Sequence, residues 1–439
     1  MKPIVAIVGR PNIGKSTLFN RLIGRRRAIV KSESGVTRDI NYADCEGGRF
    51  TLVDTGGFEP AAKEGILKKV KEQVQFAIEE ADLIIFLMDA RLGATPQDKE
   101  LIGILRKTGK KVIYAANKVD TKKLIPLTDE FYSLGIDNIF PVSAECGLGT
   151  TELLDAVLSS LPGVKEAEEA EEEGEGERVR VSIVGRPNAG KSSILNKLTG
   201  KERAIVSEIP GTTRDSLDTL FEKNGKRYLF IDTAGIRKKR RLSRALDIYS
   251  TIGAIKTIDR SDLALLTIDA KEGPRLQDEK IAGLIEDRGK GCIIVLNKWD
   301  AVEKETDTAK LYEERIRHAI PFLSYAPVVF VSALTGRNME KIFEAIDRVD
   351  GEQKTKVPTS KLNALLKKFT SRSSPPSYRG KEVKLYYITQ TGTLPLKFTV
   401  FTNLPEGVLE SYRRYLINSF RESLKTTEVP LRVFFRSRR

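Results

Sequence analysis

Two short segments of the chain carry the residues that a phosphate-binding loop needs. Residues 9–16 have the sequence GRPNIGKS and residues 185–192 have GRPNAGKS, and both fit the pattern G-x-x-x-x-G-K-[ST]. In such a loop the backbone N–H groups bind the α- and β-phosphates, the lysine reaches the β- and γ-phosphates, and the hydroxyl is a ligand of magnesium. Glycine is needed because a side chain would keep the backbone away from the phosphate. Since both segments also share R-P-N, the chain is predicted to bind nucleotide twice.

A second pair of segments distinguishes guanine from adenine. The sequence N-K-x-D occurs at 117–120 and at 297–300, each time after a short apolar run. The carboxylate of Asp120 or Asp300 can accept hydrogen bonds from guanine N1–H and the 2-amino group, and adenine has neither donor. The Asn and Lys of each segment would hold the edge of the base and cover its face. The pattern therefore predicts GTP rather than ATP as the ligand.

Two D-x-x-G segments supply groups for the γ-phosphate and for magnesium. They are DTGG at 54–57 and DTAG at 232–235. The two aspartates end apolar runs and are expected close to the magnesium ion. The backbone N–H groups of Gly57 and Gly235 are expected to contact the γ-phosphate.

Two threonines are candidates for the switch segment that responds to the γ-phosphate. Thr37 in GVTRD and Thr213 in GTTRD occupy the same position in the two copies and are expected to be magnesium ligands. Thr212 offers a hydroxyl too, but the first copy has Val36 there, so the shared position is preferred. Ser34 also replaces the proline that precedes the second segment, Pro210, which leaves the first segment freer. Such segments order on the γ-phosphate and relax after hydrolysis.

The residue that follows D-x-x-G cannot orient a water molecule. Many regulatory GTPases have glutamine there, whereas this chain has Phe58 and Ile236. Catalysis would then depend on positioning and on neutralisation of charge. An added cation is one way to supply that charge.

The candidate site residues form three overlapping sets. Those expected to bind GTP are Gly9, Arg10, Pro11, Asn12, Ile13, Gly14, Lys15, Ser16, Asp54, Thr55, Gly56, Gly57, Phe58, Asn117, Lys118, Val119, Asp120, Ser143, Ala144, Gly185, Arg186, Pro187, Asn188, Ala189, Gly190, Lys191, Ser192, Asp232, Thr233, Ala234, Gly235, Ile236, Asn297, Lys298, Trp299, Asp300, Ser332 and Ala333. Those expected to act in catalysis are Lys15, Asn12, Thr37, Gly57, Lys191, Asn188, Thr213 and Gly235. Those expected to hold magnesium are Ser16, Thr37, Asp54, Ser192, Thr213 and Asp232. The Ser-Ala pairs at 143–144 and 332–333 would offer backbone N–H groups to guanine O6.

The motifs recur in the same order in both halves, so the chain is a tandem duplication. The offset grows from 176 residues between the phosphate loops to 189 between the Ser-Ala pairs, as expected when surface loops lengthen in one copy. In the first copy, strands are predicted at 4–8, 50–53, 83–88, 112–116 and 139–142, with helices such as 16–23 and 151–160 between them. This alternation predicts an α/β fold with a mainly parallel sheet, helices on both faces, and ligands at the carboxyl ends of the strands.

Four regions follow from these patterns. The first GTPase domain is predicted at 1–162, an acidic flexible linker at 163–178, the second GTPase domain at 179–351 and a basic domain at 352–439. Residues 164–177 include eight Glu and one Lys, and like charges without an apolar face favour a flexible segment. An acidic interaction segment is the alternative for this stretch.

The basic domain holds most of the excess positive charge. It contains 18 Lys and Arg against six Asp and Glu, while the whole chain has a net charge of +14. Such an uneven distribution points to a polyanionic partner, and a solvated lysine-rich face is the alternative. Its predicted order α-β-β-α-β suits a small KH-like α/β domain that binds RNA, although no GXXG loop is present. Arg413, Arg414 and 436–439 are expected to be exposed and to contact phosphates.

Composition excludes several other classes of protein. No apolar run approaches the roughly 18–20 residues that a membrane-spanning helix requires. Three cysteines, far apart in sequence, support neither a disulfide framework nor a zinc site, and all three are expected to be reduced and buried. With a single histidine, His318, a histidine base or a histidine-bound metal is nearly excluded.

Taken together, these features resemble the bacterial Der (EngA) family: two Era-like GTPase domains in tandem, an acidic linker and a basic KH-like domain. The resemblance covers essentially the whole chain. It implies a GTPase in the cytoplasm that acts in assembly of the large ribosomal subunit and contacts ribosomal RNA in a nucleotide-dependent way. The expected partners are the large subunit and its RNA, with no DNA and no membrane insertion, and the chain is expected to be a monomer.

The phosphate loops also resemble those of the potassium-stimulated branch of translation-factor-related GTPases. In that branch the asparagine at the position of Asn12 and Asn188 binds a monovalent cation beside the β- and γ-phosphates. The resemblance thus implies potassium in addition to magnesium and GTP or GDP. The alternative is that both asparagines only brace the loop.

Two other classes of function stay open at this point. One is a membrane- or signalling-linked GTPase switch, which the lack of a lipidation motif or an amphipathic basic anchor disfavours. The other is an RNA-binding scaffold with one inert nucleotide site, which the completeness of both motif sets disfavours.

Overall fold

The computed structural model describes residues 2–24, 41–45, 49–55, 77, 81–161, 178–200, 208–210, 217–231 and 246–437. The chain divides into two compact units, Met1–Gly174 and Glu175–Arg439.

The first unit contains a mostly parallel sheet with the strand order β2-β3-β1-β4-β5-β6. Its described strands are β1 (Ile4–Val8), β2 (Asn41–Cys45), β3 (Phe50–Asp54), β4 (Leu83–Asp89), β5 (Lys111–Asn117) and β6 (Ile139–Pro141). Its described helices are α1 (Lys15–Leu22), α2 (Pro96–Arg106) and α3 (Thr150–Ser160), with a 3-10 segment at Lys122–Leu134. Only β2 runs antiparallel to its neighbour, β3. Every residue of β1, β3 and β4 is buried, which explains why these strands are apolar throughout.

The second unit repeats this arrangement with the strand order β13-β12-β11-β7-β10-β9-β8. Its strands are β7 (Arg178–Val184), β8 (Glu208–Pro210), β9 (Leu217–Lys223), β10 (Lys226–Ile231), β11 (Leu263–Asp269), β12 (Gly291–Asn297) and β13 (Val328–Phe330). Its helices are α4 (Lys191–Thr199), α5 (Leu246–Arg260), α6 (Leu276–Arg288), α7 (Thr308–Ala319) and α8 (Glu340–Gln353), with 3-10 turns at Trp299–Ala301 and Pro321–Leu323. The predicted α/β class of both copies is confirmed.

The C-terminal part of the second unit has the predicted order α-β-β-α-β. It comprises α9 (Thr359–Arg372), β14 (Leu385–Gly392), β15 (Leu396–Thr402), a 3-10 turn (Pro405–Gly407), α10 (Glu410–Leu424) and β16 (Leu431–Ser437). Strand β15 is central, antiparallel to β14 and parallel to β16. Both helices place their apolar residues against one face of this sheet, where Phe420 meets the rings of Phe369 and Phe398 at centroid distances of 4.9 and 5.8 Å. The predicted KH-like α/β domain is confirmed.

The C-terminal domain shares a core with the second sheet domain. Leu396 and Val429 are fully buried and belong to the apolar cluster of that sheet domain, beside Val349 of α8. Arg432 donates hydrogen bonds to the carbonyl oxygens of Glu286 and Asp287 at the end of α6. A cation at a helix C-terminus stabilises the unpaired carbonyl groups there. Helix α8 also continues to Gln353, two residues beyond the predicted domain boundary.

Two expectations about exposure need correction. Cys45 and Cys292 are buried as expected, but Cys146 is exposed, because it lies in a turn where its N–H donates to Ser143 Oγ at 3.0 Å. Arg413 is only partly exposed: its Nε donates to the carbonyl of Val408 at 3.0 Å and its guanidinium lies over the ring of Phe435. Arg414, the next residue of α10, is exposed as predicted. No helix in the described ranges is long and apolar enough to span a membrane.

Candidate functional site

The loop between β1 and α1 needs glycine at both of its ends. Gly9 has φ 153° and Gly14 has φ 90°. A Cβ at Gly9 would lie 2.4 Å from the carbonyl oxygen of Leu87, and one at Gly14 would lie 2.4 Å from Nδ2 of Asn117. The loop is therefore held against β4 and β5 by contacts that admit no side chain. Gly185 and Gly190 are restricted in the same way in the second copy. A Cβ at Gly185 would lie 2.3 Å from the carbonyl oxygen of Thr267, and one at Gly190 would lie 2.1 Å from Nδ2 of Asn297.

The lysine of each loop is directed back onto the loop itself. Lys15 Nζ donates to the carbonyl oxygens of Gly9 and Arg10 at 2.9 and 2.7 Å. The equivalent bonds of Lys191 are 2.8 and 2.7 Å long. In each loop the two carbonyl groups hold the lysine ammonium group beside the N-terminus of the following helix. Backbone N–H groups at a helix N-terminus also favour an anion. Both loops thus combine a fixed positive charge with the start of a helix.

The asparagine in each loop has a left-handed backbone. Asn12 has φ 62° and Asn188 has φ 64°, and both side chains are exposed. Asparagine tolerates this conformation better than most residues that carry a Cβ. The residue type therefore satisfies a requirement of the backbone, whatever its side chain binds.

Oxygen atoms suited to magnesium meet at the start of α1. Ser16 Oγ donates a hydrogen bond of 2.6 Å to Oδ2 of Asp54, which is buried at the end of β3. Magnesium prefers such hard oxygen ligands, usually together with several waters. The pair therefore fits the predicted ion. Ser192 occupies the same place at the start of α4.

The asparagine of each N-K-x-D segment joins three motifs. Asn117 Nδ2 donates to the carbonyl of Ile13 in the phosphate loop at 2.7 Å, and its Oδ1 accepts the N–H of Ala144 at 2.9 Å. Asn297 makes the equivalent contacts in the second copy, to the carbonyl of Ala189 and from the N–H of Ala333, at 3.0 Å each. One amide thus ties the phosphate loop to the turn expected to face guanine O6.

The next residue, lysine, is fixed by a carboxylate that sequence reasoning missed. Lys118 and Lys298 have φ of 71° and 62°, and each Nζ lies 2.6 Å from an aspartate Oδ2, in Asp89 and Asp269 respectively. Both aspartates are buried at the ends of β4 and β11. The sequence did contain a signal for these aspartates. The pair Asp-Ala follows an apolar run in both copies, at 89–90 and 269–270, and the two pairs are separated by the same number of residues as the two N-K-x-D segments.

The charge state of the second of these aspartates follows from its surroundings. Burial would raise the pKa of Asp269, but the hydrogen bond and positive charge of Lys298 and two backbone N–H groups outweigh burial and hold that pKa below its usual range. The carboxylate is therefore ionised at neutral pH. Its charge pairs with the lysine rather than staying uncompensated in the interior.

The aspartate expected to select the base in the first copy is fixed on both oxygens. Asp120 Oδ1 accepts from Ser143 Oγ at 2.6 Å, and Oδ2 accepts from Arg91 Nη2 at 2.6 Å. Each carboxylate oxygen can accept more than one hydrogen bond, so the guanine donors can still be accommodated. In the second copy Lys271 stands at the position of Arg91. The two sites therefore differ next to the residue expected to choose the base.

The arginine of each phosphate loop serves as an anchor. Arg10 Nε donates to the fully buried Asp98 at 2.9 Å, and Arg186 Nε lies 3.3 Å from Asp278. Both aspartates cap the N-terminus of the next helix, α2 or α6. Any contact from these arginines to nucleotide would therefore involve their backbone.

The remaining predicted residues divide between described and undescribed parts of the chain. Pro11, Thr55, Val119, Ala189, Trp299, Asp300 and Ser332 lie at the same strand ends and loops as the residues above. The predictions for Thr37, Gly56, Gly57, Phe58, Thr213, Asp232, Thr233, Ala234, Gly235 and Ile236 lie outside the described residues. Trp299, in the variable position of its segment, packs between Tyr312 and Phe330 at 5.1 and 4.6 Å.

Each of the two sheets is mostly parallel, with the phosphate-loop pattern at the end of one strand and an N-K-x-D segment at the end of the strand two positions away. This arrangement defines a tandem P-loop GTPase. A family model described as "50S ribosome-binding GTPase" matches residues 4–118 and again 180–298. A second, described as "KH-domain-like of EngA bacterial GTPase enzymes, C-terminal", matches residues 356–436.

Relatives that match the whole chain show the family to which it belongs. GTPase Der of Geotalea daltonii is 47% identical over 440 residues, which cover 100% of this chain and 99% of the relative. GTPase Der of Caldanaerobacter subterraneus is 48% identical over 433 residues, which cover 98% and 97%. The chain belongs to the GTPase Der family, and it is a GTP-binding protein that hydrolyses GTP.

Two solved structures of Era match part of the chain. Era of Aquifex aeolicus, bound to GDP and aluminium fluoride, is 23% identical, with 60% of this chain and 94% of that chain covered and a TM-score of 0.31. Era in complex with a magnesium nucleotide and a fragment of 16S ribosomal RNA is 24% identical, with the same coverage and a TM-score of 0.32.

Proposed function

We propose that this chain uses its GTPase activity in assembly of the large ribosomal subunit, and that its C-terminal domain binds ribosomal RNA. One observation carries the proposal: the strongly basic C-terminal domain shares a core with the second GTPase domain through Leu396 and Val429. A domain attached in this way would respond to changes in the GTPase domain. The match to a model described as ribosome-binding supports the choice of partner.

A row of cations on α9 suits contact with RNA phosphates. Lys361, Lys368 and Arg372 are all exposed, and their spacing of seven and four residues places them on one side of the helix. Neutralising RNA phosphates releases counterions, so affinity should fall steeply with salt. This row is a better candidate for phosphate contacts than Arg413, which hydrogen bonds within the domain.

We assign the nucleotide roles as the sequence suggests, with Lys15 and Lys191 on the β- and γ-phosphates and Asp120 and Asp300 on guanine. Bound magnesium would supply positive charge beside the phosphates, and Ser16 and Asp54 would hold it in the first copy. The asparagines of the phosphate loops would bind potassium. The protein would act as a cytoplasmic monomer.

The test is co-sedimentation of the full-length chain with ribosomal particles under GTP, GDP and a non-hydrolysable analogue. We expect the triple variant Lys361→Gln, Lys368→Gln, Arg372→Gln to lose particle binding while its GTP affinity stays unchanged. A chain cut near residue 351 is a poor substitute, because the cut removes the end of α8 and uncovers the shared core. Particle binding that is insensitive to both nucleotide and the triple variant would overturn the proposal.

A further inference from the structure

One face of the C-terminal sheet is left open by the two helices. Residues on the covered face, such as Ile388, Phe398 and Val400, are fully buried in the domain core. Strand register places the alternate residues on the opposite face. The residues on that face are Tyr387, Thr389 and Thr391 of β14, Lys397, Thr399 and Phe401 of β15, and Arg432, Phe434 and Arg436 of β16. Thr399, in the centre, is buried, whereas Tyr387, Phe434 and Arg436 are exposed.

Three aromatic rings lie on this open face. Tyr387 and Phe401 stand opposite each other and stack, with ring centroids 4.4 Å apart and an interplanar angle of 15°. Phe434 lies on the next strand, opposite Thr399 and diagonal to Phe401. Tyr387 is 39% exposed and Phe434 is 45% exposed. Large apolar side chains grouped on an exposed face mark a binding surface more often than scattered ones do.

Positive charge borders the rings. Arg436 pairs with Phe401 across the strands and is exposed, and Lys397 lies on the same face two rows away. Arg432 closes the far end of the face by its bonds to the end of α6. The accessible part is thus an aromatic surface with a guanidinium beside it, in a domain with 18 cations and six anions.

We propose that this open face, formed by Tyr387, Phe401, Phe434 and Arg436, binds unpaired RNA bases by stacking. The inference deepens the proposed RNA binding, on which it rests, by naming the surface and the kind of RNA. Sheets with exposed aromatic residues stack two or three bases in other RNA-binding folds, and every base offers a π-face. Arg436 would neutralise a phosphate of the same strand. The domain lacks the GXXG loop with which KH domains usually hold the RNA backbone. The open face would provide a different surface for binding RNA.

Charge favours RNA over a protein as the occupant. A protein partner would need an acidic surface that also fits three rings, whereas single-stranded RNA has both phosphates and planar bases. Cross-strand aromatic pairs can also stabilise a small sheet without binding anything. The experiment must therefore separate stability from base stacking.

The test compares full-length variants in binding to an unstructured single-stranded RNA and to an RNA duplex of equal length. We expect the double variant Tyr387→Leu, Phe434→Leu to bind the single strand about tenfold or more weakly, since leucine keeps apolar bulk but cannot stack. Its duplex affinity and its slope of log affinity against log salt should not change, because the slope counts phosphates. Tyr387→Phe, which keeps the ring, should bind as the wild type does. Tyr132→Leu, at a 49% exposed tyrosine of the first unit, is the matched control.

Each outcome decides between proposals. If the wild type binds neither RNA nor particles, the proposed function itself fails. If it binds single-stranded RNA and the double variant, with an unchanged melting temperature, binds equally well, the stacking surface is refuted. Loss of particle binding with unchanged RNA affinity would assign the face to a protein partner instead and would also overturn this inference.

Discussion

Lys118 and Asp89 form an ion pair with 2.6 Å between Nζ and Oδ2, and Lys298 and Asp269 repeat it at the same distance. In both copies the aspartate also accepts a backbone N–H two residues along, at 2.9 Å. The carboxylate is thus fixed from two sides and in turn fixes the lysine. The lysine stem, which is expected to cover the guanine ring, then has less freedom to lose when nucleotide binds.

Replacing Asp89 by Asn should weaken nucleotide binding at the first site only. The lysine loses a charged partner that is almost fully buried, and we expect GDP affinity to fall about three- to tenfold. Titration with a fluorescent GDP analogue, in a background where Lys191→Ala disables the second site, measures this. Asp269→Asn in the Lys15→Ala background is the matched experiment. Unchanged affinity in both would show that the ion pair does not act on the base.

Replacing Asp120 by Asn should change which purine the first site prefers. The amide offers one acceptor and one donor, which suits xanthine, whose C2 carries oxygen. Loss of charge-assisted hydrogen bonds to guanine should cost about 2–4 kcal/mol. Competition between GTP and xanthosine triphosphate for the single remaining site measures the change. A variant that still prefers GTP would contradict the assignment of Asp120.

The potassium hypothesis can be tested without disturbing the phosphate loop. Because Asn188 has φ 64°, Asn188→Ala removes the side chain but also strains the backbone by about 1–2 kcal/mol. Asn188→Gly removes the same side chain and tolerates that φ. We expect potassium to accelerate hydrolysis over sodium at equal ionic strength in the wild type, and both variants to lose the difference. Only the alanine variant should also lose nucleotide affinity. Full potassium stimulation in the glycine variant would leave Asn188 as a brace of the loop.

Arg413 and Arg414 should behave differently although they are neighbours. Arg413→Gln removes a hydrogen bond to the carbonyl of Val408 and the contact with the Phe435 ring, and should destabilise the domain by about 1–3 kcal/mol. Arg414→Gln should leave the melting temperature unchanged but lower the salt slope of RNA binding by about 0.7–0.9 if Arg414 contacts a phosphate. Thermal melting and RNA titrations at several salt concentrations provide both readouts. The reverse pattern would mean that Arg413 is the RNA contact.

Much of the fold could be predicted because its signals are local. The strand Ile4–Val8 was predicted to the residue, since a strand buried on both faces is continuously apolar. The phosphate loops could be found because their backbone geometry requires glycine at fixed positions, and few other sequences have that spacing. The chemistry of Asn117 was predicted only in part, because its role as a brace depends on Ile13 and Ala144, which are far away in sequence.

Other features depend on tertiary contacts that no single segment encodes. Arg413 and Arg414 are equally basic in sequence, and only the packing of α10 against β16 decides which one is exposed. The attachment of the C-terminal domain could not be predicted either. Leu396 looks like any other apolar residue of a strand, and its inclusion in a neighbouring core becomes visible only when both sheets are placed.

Because Leu396 and Val429 complete the core of the second GTPase domain, that domain depends on residues that emerge after its own sequence during synthesis. The first domain can fold while the rest is still being translated, since domains fold as units in order of emergence. The second must wait until the C-terminal domain has also left the exit tunnel, and until then part of its apolar surface stays uncovered. In calorimetry, the second GTPase and C-terminal domains should accordingly melt in a single cooperative transition, separate from that of the first domain.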